Sequence, residues 1–345
     1  MDTMVLGRQN GKRNLLQGVR RFLQIGKDKS MRKIIGDAHL MVKVCDLYYN
    51  QNNSQQQIAK LLNLSRPTVS RLLSSAREQG IVQITISNLE EIQHWELERE
   101  LEKRYHLREV LIVDSESTEE TMREALGSMA GRYLEYVIKD GYTVGVSMGA
   151  TLYQVVSHVS HPAARDVTFV PLIGGMGQLR MELHSNSLAG TLARIYGGRF
   201  VPLHAPARVS TAMIRDELMR EESLAAAIRL SEHLDVAIVG IGYPNENSSI
   251  KATGYFKENE IESLKNREVA GDICMQFYDI SGDTSKYQND NNVVGLDIQK
   301  LQKVPYSIGI AGGIEKVPAI KGAINGRYIN SLITDIRCAA ALAEE

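Results

Sequence analysis

Apolar residues recur at helical spacing in two short segments near the N-terminus. One segment spans about residues 55–62, and the other begins at Arg66. The recurring apolar positions are Ile58, Ala59 and Leu62, then Val69, Leu72, Leu73 and Ala76. Spacings of three and four residues place such side chains on one face of a helix, where they can pack together. The pattern predicts two amphipathic helices separated by a three-residue polar turn.

Both predicted helices carry signals for their first residues. Ser54 is a favourable N-cap, and Gln57 completes a capping box with it. Ser65 caps the second helix, whose opening Pro67 loses only an amide hydrogen that the first turn cannot use. Two short helices in this arrangement are typical of a DNA-reading helix-turn-helix. The alternating run Ile81–Ile86, after Gly80, predicts the strand of a wing.

The polar N-terminal face of the second helix is the candidate DNA-reading surface. Arginine can donate two hydrogen bonds to a guanine edge, and hydroxyl groups can bond to bases or phosphates. The alternative is an ordinary helical hairpin with a solvated polar face, but the caps, the small Ala59 and the hydroxyl-rich stretch between two arginines favour DNA binding. The predicted DNA-binding residues are Gln55, Ser65, Arg66, Pro67, Thr68, Ser70 and Arg71.

The rest of the N-terminal region divides by charge and periodicity. Residues 1–33 hold nine lysines and arginines against two aspartates and show little periodicity, which favours a disordered extension over a DNA-contacting arm. A further helix is predicted over His39–Tyr49, and a linker helix with one apolar face runs through Trp95 and Leu101. The predicted segments are a basic extension at 1–35, a winged helix-turn-helix at 36–87, a linker helix at 88–108, and an effector-binding and oligomerisation domain at 109–345.

From residue 109 onward, short β-rich runs alternate with helical stretches. The predicted strands are Val110–Val113, Thr143–Val146, Val167–Leu172, Val236–Val239, Ile308–Ile310 and Leu332–Thr334. The predicted helices lie near 119–138, 149–159, 183–197, 211–231, 258–277 and 317–324. This alternation predicts a three-layer α/β domain in which helices cover both faces of a mostly parallel sheet. Ligands bind such sheets beyond the carboxyl ends of the strands.

Three of the predicted strands end in small, flexible loops. These are Ser147–Thr151, Gly174–Gly177 and Gly312–Gly313. Glycine lets the main chain approach a ligand, and free amides at a helix N-terminus attract anions. Any single glycine pair is more simply explained by the sterics of a strand-to-helix turn, but three together favour a phosphate ester. The predicted effector-binding residues are Ser147, Gly149, Ala150, Thr151, Gly174, Gly175, Asn186, Asp272, Gly312, Gly313 and Lys316. Asp272 could bind sugar hydroxyls or equally be a helix cap, and Asn186 is a weaker candidate of the same kind.

Composition narrows the possible functions. The chain has 345 residues, 43% hydrophobic, with a formal net charge of −1, so it can form two cores but lacks overall basicity. No apolar run approaches the roughly 20 residues that cross a bilayer, and the three cysteines lack metal-ligand spacing, so we expect a cytoplasmic protein with free thiols and no membrane partner. No catalytic motif or metal-ligating histidine set is recognisable. The residue before Gly174 is Ile173 rather than a lysine, so formation of an imine with an aldehyde substrate is not suggested there. We therefore expect no catalytic residue, metal or cofactor.

The ordered motifs resemble the SorC family of sugar-responsive transcriptional regulators, which includes deoxyribonucleoside and central-glycolysis repressors. The motifs that carry the resemblance are Gln55–Ala59, Ser65–Leu73, Gly145–Gly149, Gly174–Gly175, Gly271–Ile273 and Ala311–Gly313 with Lys316. The resemblance covers residues 38–343. It implies a winged helix-turn-helix, an effector domain akin to sugar-phosphate isomerases, a phosphorylated sugar as effector, and a homotetramer bound to double-stranded operator DNA. By position, it places the three glycine loops and Lys316 on the phosphate and Asp272 near the sugar.

Three functions remain to be compared. The leading hypothesis is a DNA-binding repressor of a carbohydrate or nucleoside operon, controlled by a phosphorylated sugar. The alternative is a sugar-phosphate isomerase-like enzyme with a DNA-binding appendage, which predicts turnover of such a sugar. A constitutive DNA-binding protein would instead ignore every metabolite.

Overall fold

The computed structural model describes residues 38–83, 93–175, 177, 180–243 and 253–344. The chain divides into two compact units, Met1–Asn88 and Leu89–Glu345. The predicted basic extension at 1–35 lies outside the described residues, as do residues 84–86 of the predicted wing. Residues 81–83 form bends and irregular backbone rather than a strand.

The N-terminal unit contains the predicted helix-turn-helix. Helix α1 covers residues 38–45 and continues as a π-helical turn, Asp46–Asn50; α2 is Gln55–Leu61 and α3 is Arg66–Glu78. Ser54 and Gln57 form the predicted capping box, and Ser65 caps α3. Helices α1, α2 and α3 pack through the predicted apolar stripes, whose most buried members are Val44, Ile58, Val69, Leu73 and Ala76.

The C-terminal unit begins with a helix and then alternates strands and helices. Its helices are α4 (Trp95–Tyr105), α5 (Glu119–Val137), α6 (Ala150–His158), α7 (Ser185–Tyr196), α8 (Ala212–Arg220), α9 (Glu222–Ser231), α10 (Glu258–Asn266), α11 (Val317–Asn325) and α12 (Ile336–Glu344). Its strands are β1 (Glu109–Val113), β2 (Thr143–Val146), β3 (Thr168–Pro171), β4 (Arg199–Phe200), β5 (Val236–Gly240), β6 (Gly271–Ile273), β7 (Gln276–Tyr278), β8 (Tyr306–Ile310) and β9 (Ser331–Asp335).

Seven of these strands form one parallel sheet in the order β1-β9-β8-β5-β2-β3-β4. The strand order reverses at β2, which has β3 on one side and β5 on the other. Crossover connections on opposite faces leave a crevice beyond the carboxyl ends at such a reversal. The sheet topology therefore puts the loops after β2 and β5 next to each other.

Helices cover both faces of the sheet, as predicted. On one face, α5, α6 and α7 contribute fully buried side chains such as Leu134, Val155 and Leu192. The other face is covered by a second core that includes Phe277 and Ile320. Because both faces are buried, the central strands are nearly continuous hydrophobic runs rather than alternating ones.

Two predicted helices differ from the structure, and two observed elements were not predicted. The predicted helix 258–277 ends at Asn266, and β6 and β7 follow as an antiparallel hairpin, so Asp272 lies in a strand and is not a helix cap. The turn of this hairpin has positive φ at Cys274 and Met275. Neither residue is a glycine, so the sequence does not indicate the turn. The predicted helix 211–231 is two helices that meet at Glu221. Strand β4 and helix α12 were not predicted.

Candidate functional site

A cavity of about 350 Å³ lies at the carboxyl ends of β2, β5 and β8. Its walls come from the loops that follow these strands, the β6–β7 hairpin and the first two turns of α5. The lining residues are Glu119, Met122, Arg123, Leu126, Ser147, Met148, Gly149, Ala150, Thr151, Gly240, Ile241, Gly242, Tyr243, Asp272, Cys274, Ile310, Ala311, Gly312, Glu315 and Lys316. The structure thus brings together seven of the predicted effector residues: Ser147, Gly149, Ala150, Thr151, Asp272, Gly312 and Lys316.

The first turn of α6 opens onto this cavity. Gly149 has a φ of +113°, which favours glycine, and its N–H donates to the Leu183 carbonyl at 3.0 Å. Within the described residues, the N–H groups of Ala150 and Thr151 have no hydrogen-bond acceptor. These amides carry the positive end of the helix dipole and can bind an anion.

Asp272 is the buried acid of the cavity. Its Oδ2 accepts the Met275 N–H at 3.1 Å, while its Oδ1 is buried with no partner among the described residues. Burial raises the pKa of Asp272 from 3.8 to about 6, although the charge of Lys316 and the Met275 N–H lower it. A Cβ at Gly242 would lie 2.0 Å from Oδ1, so only glycine leaves room for this carboxylate.

Lys316 supplies a positive charge beside this acid. It ends the short 3₁₀ helix Ile314–Lys316, and its Nζ donates to the Ile241 carbonyl at 3.2 Å. Burial lowers the pKa of the Lys316 ammonium, and the charge of Asp272 opposes that shift. A half-buried ammonium that has bonded one carbonyl retains two N–H donors for a ligand.

Asp335, at the end of β9, holds the glycine loop that precedes Lys316. Its Oδ2 accepts the Gly313 N–H at 2.7 Å, and its Oδ1 accepts the Arg337 N–H at 2.9 Å. Burial alone would raise the pKa of Asp335, but the N–H groups of Gly313, Cys338 and Arg337 lower it below its ordinary value. Sequence reasoning missed this residue, because an acid at a strand end has no local signature.

Gly174, Gly175, Gly313 and Asn186 do not line the cavity. The N–H of Gly174 donates to Val294 and that of Gly175 to Ala205, so neither amide is available to a phosphate. A Cβ at Gly174 would lie 2.5 Å from the Ala205 carbonyl, which is the steric reason for glycine there. The Asn186 side chain exchanges two hydrogen bonds with the Leu203 backbone, at 3.1 and 3.0 Å.

Two further lining segments escaped the sequence analysis. Gly240 ends β5 and begins the run Gly-Ile-Gly to Gly242, a fourth small loop at a strand end that the same rule could have found. Cys274 is fully buried and its thiol donates to the Ser147 hydroxyl at 3.1 Å. Burial raises the pKa of this thiol to about 12, so it is neutral near pH 7.

The predicted DNA-reading surface lies at the N-terminus of α3. The Ser65 hydroxyl accepts the Thr68 N–H at 3.2 Å and lies 2.7 Å from the Thr68 hydroxyl. The side chains of Arg66, Ser70 and Arg71 are exposed on the same helix, opposite the buried stripe. Pro67 occupies the first turn, and Gln55 is the first residue of α2.

Within the described residues, no cluster of three or more His, Cys, Asp or Glu could hold a metal ion. No described helix is both long and apolar enough to cross a membrane.

Comparisons with known proteins agree with this architecture. Residues 90–344 match the family described as "Putative sugar-binding domain", and residues 44–95 match a Crp-like helix-turn-helix domain. The chain is 35% identical to the sorbitol operon regulator of Klebsiella pneumoniae, covering 89% of this chain and 98% of that protein. It is 32% identical to the deoxyribonucleoside regulator of Bacillus subtilis (strain 168), over 89% of this chain and 97% of that one.

The solved structures give the same result. The full-length sorbitol operon regulator SorC from Klebsiella pneumoniae superposes with a TM-score of 0.68 at 34% identity, over 89% of this chain and 99% of that chain. The predicted helix-turn-helix, parallel sheet and family are therefore confirmed. The chain is a DNA-binding transcriptional regulator and belongs to the SorC family.

Proposed function

We propose that this regulator is a repressor of a carbohydrate or nucleoside utilisation operon and that a phosphorylated sugar controls its affinity for operator DNA. It acts in the cytoplasm as a homotetramer and catalyses no reaction. The names of its relatives, a sorbitol operon regulator and a deoxyribonucleoside regulator, support this class of operon.

The observation that carries the effector proposal is the pairing of an anion site with a buried hydrogen-bond acceptor in one cavity. The unpartnered amides of Ala150 and Thr151, with Lys316, suit a phosphate. The unpartnered Oδ1 of Asp272 suits a sugar hydroxyl, which would donate to it. A phosphate ester of a polyhydroxy compound can bind both the amides with Lys316 and the Asp272 carboxylate, whereas inorganic phosphate suits only the amides with Lys316.

Operator binding is assigned to the exposed N-terminal face of α3. Arg66 and Arg71 can reach guanine edges or phosphates, and Ser70 lies between them on the same helix. Helix-turn-helix proteins usually pair these modules on two half-sites of the operator, which is why an oligomer is proposed. Effector and operator must then affect each other's affinity by the same factor.

The effector proposal is tested by calorimetry with a panel of sugar phosphates, sugars and inorganic phosphate. One or more sugar phosphates should bind, and the corresponding free sugar should not. Lys316→Ala should abolish the heat and the accompanying thermal shift, whereas Lys303→Ala, at an exposed lysine outside the cavity, should keep both. If Lys316→Ala binds as tightly as the wild type, Lys316 is not part of the site. Turnover of a panel compound would favour the isomerase-like enzyme instead.

The operator proposal is tested by selecting bound sequences from random duplex DNA and measuring affinity at fixed salt. Arg71→Ala should weaken specific binding by about 1–3 kcal/mol if the arginine contacts a base. Arg77→Ala, in the last turn of the same helix, is the matched control and should change affinity little. Equal losses in both variants would indicate non-specific charge attraction rather than base reading.

A further inference from the structure

The N-terminal end of helix α12 is bonded to the glycine loop beside the cavity. It begins directly after Asp335, whose carboxylate accepts the N–H groups of Gly313, Arg337 and Cys338. The Cys338 thiol, in the first turn of α12, donates to the Gly313 carbonyl at 2.9 Å. Both backbone polar groups of Gly313 are therefore bound to α12 or to the residue that precedes it. In the sequence, Gly313 lies between the lining residue Gly312 and the lining residues Glu315 and Lys316.

The other end of α12 holds the linker helix α4. The Tyr105 hydroxyl donates to the Leu342 carbonyl at 2.8 Å, and the Arg104 guanidinium donates to the Ala343 carbonyl. The last carbonyls of a helix have no partner within that helix, so α4 supplies donors that α12 lacks. Leu101 of α4 and Leu342 of α12 are both fully buried in the same core.

Helix α4 is also bound to the edge of the sheet. The Glu98 carboxylate accepts the Ile112 N–H at 2.9 Å, and the Glu102 carboxylate accepts the Val110 N–H at 3.0 Å. Strand β1 is the sheet edge, where these amides would otherwise be unpaired. Helix α4 is thus fixed both to β1 and to α12, and it is the first described helix after the DNA-binding unit in the chain.

We propose that α12 couples the Gly312–Lys316 loop to the linker helix, so that effector binding at this loop displaces α4 through α12. This inference deepens the proposed function and rests on it for its regulatory meaning. A helix of nine residues is about 13 Å long and moves as a rigid element. A loop that shifts to contact a phosphate pulls Gly313, which is bonded to the first turn of α12. The last turn of α12 then moves the donors of α4 that are bonded to it.

The coupling is tested by hydrogen exchange on the full-length protein, with no effector or DNA present. The variant Arg104→Ala/Tyr105→Phe removes the α4 donors without touching the cavity. It should raise exchange about tenfold in the Gly312–Lys316 loop and in α12, as expected for the loss of two hydrogen bonds. Lys103→Ala, at an exposed residue of the same helix, is the control and should leave exchange at these two segments unchanged.

The reciprocal variant perturbs the cavity end and is read at the linker. Cys338→Ala removes the bond to Gly313 and should raise exchange of the Val110 and Ile112 amides, whereas Cys338→Ser keeps a donor and should restore it. If each variant changes exchange only beside its own site, the coupling does not exist. Should the double variant unfold, Tyr105→Phe alone gives the same test. Because no metabolite is used, this result stands whether or not a sugar phosphate is later found to bind.

Discussion

Replacing Asp272 by asparagine should stabilise the protein near pH 7 while removing effector binding. In the native state the pKa of this buried carboxyl is about 6, against 3.8 for the ordinary group. The difference of about two pH units corresponds to roughly 3 kcal/mol that the ionised carboxylate costs at neutral pH. Asparagine carries no charge, and its carbonyl can still accept the Met275 N–H. The expected gain is about 1–3 kcal/mol, reduced by any unpaired amide hydrogen.

The raised pKa of Asp272 also fixes the direction in which the free energy of unfolding changes with pH. Between pH 3.8 and about 6 the native protein binds more protons at Asp272 than the unfolded chain does, so this group lowers the free energy of unfolding as pH rises through that window. The stability difference between Asp272→Asn and wild type should therefore be largest above pH 6 and shrink towards pH 4.

Trp95 is the only tryptophan and lies in the C-terminal unit, so its fluorescence follows urea unfolding of the unit that holds Asp272. Glu262→Gln, at an exposed acid of α10, is the control and should change stability by less than about 0.5 kcal/mol. An Asp272→Asn protein that is less stable than wild type at pH 7, or a difference that does not vary with pH, would refute the reasoning.

Three further outcomes follow from the same geometry. Met275→Gly should lower the free energy of unfolding by about 1–4 kcal/mol, because the loss of a fully buried side chain outweighs the strain relieved at a φ of +60°; an unchanged or higher urea midpoint would show that the backbone strain is the larger effect. Gly242→Ala should displace the Asp272 carboxylate and lower Tm, whereas Gly240→Ala, whose Cβ would have no neighbour nearer than 3.7 Å, should fold normally; equal Tm values would contradict the steric argument. Ser65→Ala should cost about 1 kcal/mol of protection in the α3 amides, because the Thr68 N–H loses its acceptor; unchanged exchange would mean that the cap contributes nothing.

The gain in stability predicted for Asp272→Asn means that the wild-type carboxylate destabilises the protein when no ligand is bound. A buried acid with one unpaired oxygen destabilises the free protein and is compensated when a hydroxyl donates to it. A ligand that binds only the folded protein then adds its own stabilisation. The folded protein without effector is therefore less stable than the folded protein with effector bound.

The helix-turn-helix and the strands of the main sheet could be predicted because their signals are local. The capping box of Ser54 and Gln57 lies within four residues, and buried parallel strands are apolar without interruption. The loop and helix start at Gly149–Thr151, where we propose the anion site, were predictable for the same reason, since strand, small loop and helix follow one another directly. Comparison with known proteins confirmed the family that these motifs indicated.

The cavity as a whole depends on contacts between distant parts of the chain. Gly174–Gly175 and Gly312–Gly313 are equivalent as sequence patterns, but the carbonyls of Val294 and Ala205 accept both amides of the first pair, whereas in the second pair Asp335 accepts the Gly313 N–H and Gly312 lines the cavity. Asp272 enters the cavity only because Cys274 and Met275 turn the chain with positive φ, and Asp335 reaches Gly313 only through the order of β8 and β9. Sequence alone determined which segments form helices, strands and caps, because neighbouring residues decide those. Tertiary structure decided which amides of the glycine loops stay free, because the acceptors that could bind them, such as Val294 for Gly174 and Asp335 for Gly313, lie tens to more than a hundred residues away.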